Sequence, residues 1–375
     1  MKEYSELLER SVKYRRDLHR IPELSFDLPK TGAYIRNVLK PLSCRVDDIA
    51  GYGVAAVYDF GKKDAICFRC DMDALPIQEV NDLTYISEHD GKMHACGHDS
   101  HMAIMLGFAE LIDDKKAEGF SPAHNVVLLF QPAEETIDGA LKICNTDFFE
   151  TYNIKEIFGL HNWPTLPKGQ ISSISGPMMA KSTSVDVHFS GVSAHCGEPW
   201  KGKDALHAAA RFLTEIYDYV DNEINDNCIV RFGKLTSGTV RNAISPQAEL
   251  LGTIRTFSEE TWQSILDEMD RIASEIYKDM GVKVTPEVIK YHPAVINNPA
   301  VYERVIPFLD KLGYKELDNP VMIAEDFSFY QEKVPALFFF LGTGSGIPLH
   351  SVNYDMDDSV ILQGIRLFEA ILLNE

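Results

Sequence analysis

The sequence predicts an α/β protein: a larger domain with a central, mostly parallel sheet flanked by helices, interrupted by a smaller α+β domain. Three successive apolar runs each end in a polar cluster, Asp71/Asp73, Glu134/Glu135 and His161. That repetition is typical of an α/β sheet with a site at the carboxyl edge of its strands. The order of elements after residue 180 predicts the inserted domain.

The first part of the chain supplies the larger sheet. The run at 126–130 is apolar at every position, which is typical of a strand buried on both faces. Asp99 or Ser100 is expected to cap the helix that follows the histidine-rich segment 93–101. The expected elements are, in order, a helix at 3–20, strands at 51–60 and 65–70, a helix at 101–118, and strands at 126–130 and 157–160.

From about residue 180 the order changes to β-α-β-β-α-β, which matches the split βαβ plan of a four-stranded module. Its expected elements are strand 182–190, helix 203–222, strands 228–235 and 246–257, helix 258–280 and strand 282–291. Helix and strand alternation resumes afterwards, with an apolar strand at 336–341. We therefore divide the chain into 1–179 and 293–375, which form the larger domain, and 180–292, which is inserted.

Composition limits the classes of partner. A chain of 375 residues is too long for one compact core, which favours two domains. The net charge of −20 repels nucleic acid and anionic membrane surfaces, and no Lys/Arg-rich run opposes it. A small molecule or a metal ion is the expected partner.

The sequence favours a cytoplasmic location. The amino-terminal segment is charged throughout and lacks the apolar core of a secretion signal, and no apolar run is long enough to cross a bilayer. The seven cysteines are odd in number and scattered, which fits reduced thiols better than a disulfide framework. Cys67 and Cys70 have CxxC spacing, but residues three apart in a strand face opposite sides, so we interpret both as core residues.

A metal site is the first chemical hypothesis. Cys96 and His98 flank one glycine just before a helix, and thiolate, imidazole and carboxylate together suit Zn, Mn, Co or Ni. Cys96 alone would indicate only a buried thiol. The sequence favours a metal because other polar clusters contribute Glu135, His161 and His350. For His94 and His101 a structural role is favoured over a ligand role.

Glu134 and Glu135 form a second informative pair. Adjacent residues on a strand-end loop tend to point apart, so one carboxylate can bind a metal while the other faces water. A carboxylate in that place can take a proton from water and pass it to a leaving amine. A solvated surface pair is the alternative, but the pair directly follows an apolar strand and Gln131-Pro132-Ala133. Asp73 is expected to orient a ligand histidine.

The inserted domain contributes three polar candidates. His195 follows a glycine-bearing turn, and Asn242 and Arg255 lie on or beside strands. Arg255 alone would be interpreted as a surface residue. A substrate with a carboxylate would, however, need such a guanidinium, which can bind it through two parallel hydrogen bonds.

These residues resemble those of a known family over nearly the whole chain. The family is that of the metal-dependent amidohydrolases, which groups aminoacylases, hippurate hydrolase, auxin-conjugate hydrolases and N-acetyldiaminopimelate deacetylase with related dinuclear-zinc carboxypeptidases. The motifs that carry the resemblance are Arg15 to His19 with Pro22-Glu23, Asp71 to Pro76, His94 to Asp99, Gln131 to Glu135, Gly159 to His161, Ala194-His195, Gly252 to Arg255, and Glu325 to Ser328.

The resemblance implies a catalytic domain interrupted by a lid that usually forms a homodimer. It implies two divalent ions per subunit, Mn, Zn, Ni or Co, bound by Cys96, His98, Glu135, His161 and His350, with Cys96 bridging. Glu134 would be the general base and acid. His195 would stabilise the oxyanion, in the other subunit's site if the lid reaches it, Asn242 would contact the substrate, and Arg255 is a candidate carboxylate anchor.

The implied reaction is hydrolysis of an N-acyl amino acid, of N-acetyl or N-benzoyl type, to a carboxylic acid and a free amino acid. Two motifs depart from the common pattern: Val192 to Gly197 stands where Gly-Gly-His-Ala is frequent, and Val240 to Ser245 where Asn-Val-Ile-Pro is usual. Acyl-group and side-chain preference therefore stay open. The alternatives are a metallo-dipeptidase or carboxypeptidase, an N-acetyldiaminopimelate deacetylase of lysine biosynthesis, and a binding protein that has lost catalysis. A broken ligand set or a missing Glu134 would favour the last, and the sequence has neither.

Overall fold

The computed structural model describes residues 2–375, with side chains from residue 4 onward. The helices are α1 (Lys2–His19), α2 (Pro29–Leu39), α3 (His98–Ala117), α4 (Gly139–Cys144), α5 (Phe148–Thr151), α6 (Ala205–Asn222), α7 (Glu259–Met280), α8 (Pro299–Leu309) and α9 (Val360–Asn374). The strands are β1 (Arg45–Ile49), β2 (Gly53–Tyr58), β3 (Ala65–Asp71), β4 (Asn125–Gln131), β5 (Ile154–Trp163), β6 (Ile171–Ser173), β7 (Gly176–Met179), β8 (Lys181–Ser190), β9 (Ile229–Ser237), β10 (Gln247–Thr256), β11 (Lys283–His292), β12 (Val295–Asn297), β13 (Tyr314–Glu316) and β14 (Ala336–Gly342).

The chain forms two compact units. The first comprises the residues up to Met178, Ile296–Asn319 and Glu325–Glu375. It contains an eight-stranded sheet in the order β1-β2-β4-β3-β5-β14-β6-β13. The central strands β4, β3, β5 and β14 are parallel, while β1, β2 and β6 pair antiparallel with their neighbours toward the centre. The predicted α/β class is confirmed, with a mixed sheet whose centre is parallel.

Apolar side chains on the central strands build the core of this unit. Every residue of β3 and β14 is buried. Phe68 on β3 packs against Phe108 of α3 and Phe368 of α9, with ring centroids 4.9 and 5.1 Å apart. Burying one such side chain stabilises the fold by about 1.5–3 kcal/mol. The apolar runs therefore favour burial of these strands in the layer that α1, α3 and α9 cover.

The register of the parallel strands sets where the polar clusters lie. Asp71, the last residue of β3, pairs with Gln131, the last residue of β4. The pairing of β3 with β5 ends earlier, at Arg69 and Gly159, so the last residues of β5 extend beyond β3. His161 therefore lies inside β5. The prediction, with a strand that ended at residue 160, had placed it after the strand.

The start of α3 differs from the prediction. The predicted cap by Asp99 or Ser100 is wrong, since α3 begins at His98 after Gly97, whose φ is +84°. Asp99 is instead buried and accepts hydrogen bonds from Arg15 and His19. A side chain at position 97 would both be strained at this φ and come within 2.7 Å of Asn162 Nδ2, so only glycine fits.

The second unit comprises Met179–Val295 and Pro320–Ala324. It contains a four-stranded sheet in the order β11-β8-β10-β9 with antiparallel pairing throughout, and α6 and α7 pack on it. The side chains of Asp204 and Ser258 cap the two helices by accepting backbone N–H bonds. The predicted split βαβ order is confirmed. None of the helices described within residues 2–375 has the length and apolar content needed to span a membrane.

Candidate metal centre

Five side chains from four places in the first unit make up what we call the metal centre. Their functional atoms approach one another through Cys96 and Glu135, which lie close to each other and between them reach all three histidines. The five residues are Cys96 and His98 at the start of α3, Glu135 after β4, His161 in β5 and His350 after β14.

Hydrogen bonds fix the orientation of two of the histidines. Nδ1 of His98 lies 2.8 Å from the carbonyl oxygen of Asp73, and Nδ1 of His161 lies 2.8 Å from that of Asn162. A carbonyl only accepts, so each Nδ1 carries the ring proton and each Nε2 presents a lone pair. Burial lowers the pKa of His98 well below its ordinary value and that of His161 to about 3. Both rings are therefore neutral and suited to bind a cation.

Cys96 lies between two of the other candidates. Its Sγ is 3.4 Å from Nε2 of His161 and 3.3 Å from Nε2 of His350. His350 Nε2 is also 3.5 Å from Oε1 of Glu135. His350 has a φ of +62°, a conformation that costs a residue with a side chain about 1–3 kcal/mol. Its backbone N–H donates to the Ala95 carbonyl at 2.8 Å, which helps to hold the turn.

The glutamate pair is held by Asp73. The carboxylate of Asp73 accepts the backbone N–H of Glu134 at 2.9 Å and that of Glu135 at 3.2 Å. The pair is bracketed by Ala133 and Ile137, which have φ values of +59° and +68°. A positive φ is a marked outlier for a β-branched residue, so the loop conformation is imposed by its surroundings.

Asp73 was predicted to orient a ligand histidine, and it contacts His98 through its backbone and not through its side chain. Its backbone carbonyl oxygen lies 2.8 Å from Nδ1 of His98, while Oδ1 of its own carboxylate is 3.9 Å from the same Nδ1. The sequence could not distinguish these two contacts, because the backbone and the side chain of Asp73 bond to different neighbours.

The electrostatics of the metal centre favour a cation. Burial raises the pKa of Glu134 well above its ordinary value, and the carboxylates of Glu325 and Glu135 add to the rise. Burial is the larger cause and the nearby charge of Asp73 the second of a rise in the pKa of Glu135 to about 8. Nε2 of His98 is buried without a hydrogen-bond partner among the described residues and lies 3.9 Å from both glutamates. A divalent ion would pair with this lone pair and offset the crowded negative charge, so the residues present fit one.

The two histidines expected to be structural differ from each other. His101 uses both ring nitrogens, with Nδ1 2.7 Å from Oδ1 of Asp71 and Nε2 accepting the N–H of Asn162 at 3.0 Å. His94 is buried, and neither of its ring nitrogens bonds to any described residue. Burial lowers the pKa of His94 to about 4.

Sequence reasoning missed a buried arginine beneath the metal centre. The guanidinium of Arg69 is fully buried and donates to Gln131 at 2.7 Å, Asp71 at 3.0 Å and Asp326 at 2.9 Å, and it also pairs with Glu325 at 2.9 Å. A charge inside the apolar strand β3 was the available signal, because a buried charge requires partners. Arg15, buried with Asp99, is a second case.

In the second unit, His195 and Asn242 belong to two loops joined by backbone hydrogen bonds. We call residues 191–203 the His195 turn. The Cys196 N–H donates to the Asn242 carbonyl at 3.0 Å, and His195 forms a β-bridge with Ala243. The side chains of His195 and Asn242 are exposed. The loop segments around them, 192–197 and 239–242, contain no buried residue. The Gly197 N–H donates to Nδ1 of His195 at 3.0 Å, so the proton of the neutral ring is on Nε2.

Arg255 lies on β10, between the buried residues Ile254 and Thr256, and is half-buried. Burial lowers the pKa of its guanidinium. No described carboxylate forms an ion pair with it, although carboxylates exceed basic side chains in the chain by 56 to 36. A half-buried cation without a partner is suited to an anionic ligand.

Comparison with known proteins gives a consistent result. The model of Peptidase family M20/M25/M40 matches residues 67–374. The chain is 33% identical over 368 residues to an N-acetylcysteine deacetylase of Bacillus subtilis, covering 96% of each chain. It is 35% identical over 363 residues to an N-acetyldiaminopimelate deacetylase of Oceanobacillus iheyensis, covering 94% of this chain and 95% of the relative.

A solved structure shares the whole fold. It is a dinuclear metal binding peptidase of the M20 family from Bacillus subtilis, with a TM-score of 0.86 and 31% sequence identity. The match covers 99% of this chain and 100% of that one. The similarity therefore extends over both units.

Proposed function

This chain belongs to Peptidase family M20/M25/M40, and we propose that it hydrolyses the amide bond of N-acyl amino acids to a carboxylic acid and a free amino acid. The observation that carries the proposal is the Glu134 carboxylate, which is 9% exposed, lies beside the metal centre and pairs with no Lys or Arg side chain described between residues 4 and 375. Two relatives are named deacetylases of N-acetylated amino acids, which favours an acetyl group over a benzoyl group.

Two divalent ions would be held by Cys96, His98, Glu135, His161 and His350. Neutral imidazoles, a thiol and a carboxylate suit Mn, Zn, Ni or Co. Such ions, when bound, polarise a substrate carbonyl and lower the pKa of water. Burial raises the pKa of the Cys96 thiol well above its ordinary value, so its ionisation requires a neighbouring cation.

Glu134 serves as general base and then as general acid. It takes a proton from the water whose oxygen bonds to the amide carbon, and it returns that proton to the amide nitrogen as the C–N bond breaks. The Asp73 clamp on the backbone of residues 134 and 135 supports this role, because it keeps the carboxylate in one position through both transfers.

The second unit supplies substrate contacts. His195 donates a hydrogen bond from its Nε2–H to the oxyanion that develops on the carbonyl oxygen, a role supported by the Gly197 hydrogen bond to Nδ1. Asn242 contacts the substrate from the adjoining loop. Arg255 binds the carboxylate of the amino acid, a role supported by its lack of an ion-pair partner among the described side chains.

We infer a cytoplasmic homodimer that assembles through residues 180–292, which act as the lid. β9 is an edge strand of its sheet, and Leu235 on it is 43% exposed. An edge strand offers unpaired backbone groups to a second copy. All seven cysteines are free, which suits a reducing compartment. The net charge of −20 argues against nucleic acid and anionic membranes as partners.

Two alternatives use the same machinery. N-acetyldiaminopimelate deacetylation, a step of lysine biosynthesis, is favoured by the relative from Oceanobacillus iheyensis. That substrate has a second amino-carboxylate end, for which no residue is assigned. A metallo-dipeptidase or carboxypeptidase would cleave a peptide bond, in keeping with the dinuclear peptidase of the same fold.

A substrate panel tests the proposal. The purified protein is loaded separately with Mn²⁺, Co²⁺, Ni²⁺ and Zn²⁺ and given N-acetyl amino acids, N-benzoyl amino acids, N-acetyldiaminopimelate and dipeptides. Release of free amino acid from the simple N-acyl substrates is the expected result. Exclusive cleavage of dipeptides, or no cleavage of any amide by protein shown to contain metal, would contradict it.

A further inference from the structure

The end of β5 lacks a strand partner on one side. Pairing with β3 stops at Gly159, and the buried N–H of Asn162 donates instead to Nε2 of His101 at 3.0 Å. A buried amide without an acceptor costs about 1–3 kcal/mol. The imidazole of His101 therefore replaces a strand at this point.

This bond determines the state of the His101 ring. Because Nε2 accepts, the ring proton is on Nδ1, which donates to Oδ1 of Asp71 at 2.7 Å. Oδ2 of Asp71 accepts from Arg69 at 3.0 Å. His101 is 1% exposed, and Asp71 and Arg69 are fully buried. The three buried side chains form one chain of hydrogen bonds, which we call the relay.

The relay ends at the metal centre. The carbonyl of Asn162 accepts from Nδ1 of His161 at 2.8 Å, which directs Nε2 of His161 toward Sγ of Cys96. The backbone of Asn162 is thus held by His101 on one side and orients His161 on the other.

We propose that His101 is a positioning residue. Asp71 and Arg69 hold its ring, the ring fixes the backbone of Asn162, and that backbone sets the metal-binding orientation of His161. The inference rests on the proposed function, in which His161 is a ligand. Loss of a group that orients a metal-binding histidine typically weakens metal affinity about 10–100-fold.

The same residues allow a competing interpretation. Asp71, His98, His101 and His161 offer ligand atoms that lie within 4.8 Å of one another, as a metal site of their own would. Hydrogen bonding argues against it, because coordination by Nε2 of His101 would leave the Asn162 N–H without an acceptor. Nδ1 of His98 and of His161 are likewise committed to backbone carbonyls.

Two polar substitutions of similar size separate these interpretations. In His101→Gln, the side-chain oxygen can reach as far as Nε2 and still accept the Asn162 N–H. In His101→Asn, the shorter amide reaches only the position that Nδ1 of His101 occupies, so the Asn162 N–H is left unpaired. Both proteins, stripped of metal, are titrated with Mn²⁺ and with Zn²⁺ by calorimetry, and their melting temperatures are measured without metal.

We expect both variants to bind two ions per subunit. Relative to the wild type, His101→Asn should bind one of the two ions about 10–100-fold more weakly, and His101→Gln should bind it less than about 10-fold more weakly. His94→Gln is the matched control, since the His94 side chain is equally buried but makes no hydrogen bond to a described residue. Its affinities should stay near the wild-type values. Hydrogen exchange at Asn162 should rise in His101→Asn alone.

Equal affinities in wild type and His101→Asn, or equal losses in the Asn and Gln variants, would overturn the proposal. A fall to one ion per subunit in both variants would also overturn it, since His101 would then be a ligand. Should His101→Asn not fold, His101→Gln decides alone: loss of an ion or fast exchange at Asn162 in that variant would overturn the proposal, and two bound ions with slow exchange would support it. Failure of the proposed ligand set is recognised separately, by a His161→Ala protein that binds both ions normally.

Discussion

The metal centre and the His195 turn both carry residues assigned to one reaction, yet different forces hold them. In the metal centre, His98 and His161 are buried, and each ring is fixed by a backbone carbonyl. In the turn and its neighbouring loop, the side chains of His195 and Asn242 are exposed, and backbone hydrogen bonds join the two segments. A side chain removed from the centre leaves buried polar groups unpaired, whereas one removed from the turn leaves its fold intact. The comparison predicts coupled loss of stability and activity in the first region and loss of activity alone in the second.

Metal removal should have the largest effect. Treatment with a chelator, verified by metal analysis, should abolish turnover and lower the melting temperature, because ions at 100 times their Kd stabilise a protein by about 2.7 kcal/mol. Hydrogen exchange should rise around residues 94–98, 134–135 and 350, while residues 181–292 stay protected. Full activity after confirmed metal removal would exclude the metal mechanism.

Substitution of Glu134 should separate metal binding from proton transfer. Glu134→Gln keeps the shape of the side chain but cannot accept the proton, so we expect two ions per subunit and a fall in kcat of about 10²–10⁴-fold. Glu369→Gln is the control, since Glu369 is also buried but bonds to Tyr4 and Lys115 away from the centre. A near-normal rate in fully loaded Glu134→Gln would refute the proton-shuttle assignment.

Substitution of His195 should impair catalysis without loss of metal or stability. Removing one oxyanion donor typically lowers kcat about 10²–10³-fold, so His195→Ala should show that fall with unchanged metal content and melting temperature. His188→Ala, a histidine of the same unit with a 44% exposed side chain, is the control.

Mixing His195→Ala with Glu134→Gln then tells which subunit His195 serves. If it serves the partner's site, mixed dimers have one complete site and activity reappears. If it serves its own site, or if the protein is a monomer, mixing restores nothing. A normal rate in His195→Ala would remove this residue from the mechanism.

Arg255 should give the smallest effect and sharpen the assignment of the substrate carboxylate. Arg255→Lys keeps the charge but loses the two-pronged geometry, so we expect a rise in KM of about 10-fold with kcat little changed. Arg231→Lys, on the neighbouring strand β9, should change KM by less than about twofold. An unchanged KM in Arg255→Lys for carboxylate-bearing substrates would show that another group binds the carboxylate.

Within the first unit, some features could be predicted from the sequence and others could not. β3, β4 and β14 were predicted within one residue at each end because their apolar runs are long and bounded by polar residues. The cap of α3 was predicted wrongly, because Asp99 is held by Arg15 and His19, which are distant in sequence. Arg69 was not recognised as a hub because its carboxylate partners Glu325 and Asp326 lie more than 250 positions away.

The sequence by itself determined the α/β class, the α+β insertion and the kinds of atom available for a metal, since these follow from periodicity and from side-chain chemistry that needs no neighbours. Only the tertiary structure decided which nitrogen of His98, His101 and His161 carries the ring proton. It also decided that Asp73 holds the glutamate loop through its side chain while it orients His98 through its backbone. The physical reason is that a ring tautomer and a carboxylate's partners depend on hydrogen bonds between residues that meet only after folding.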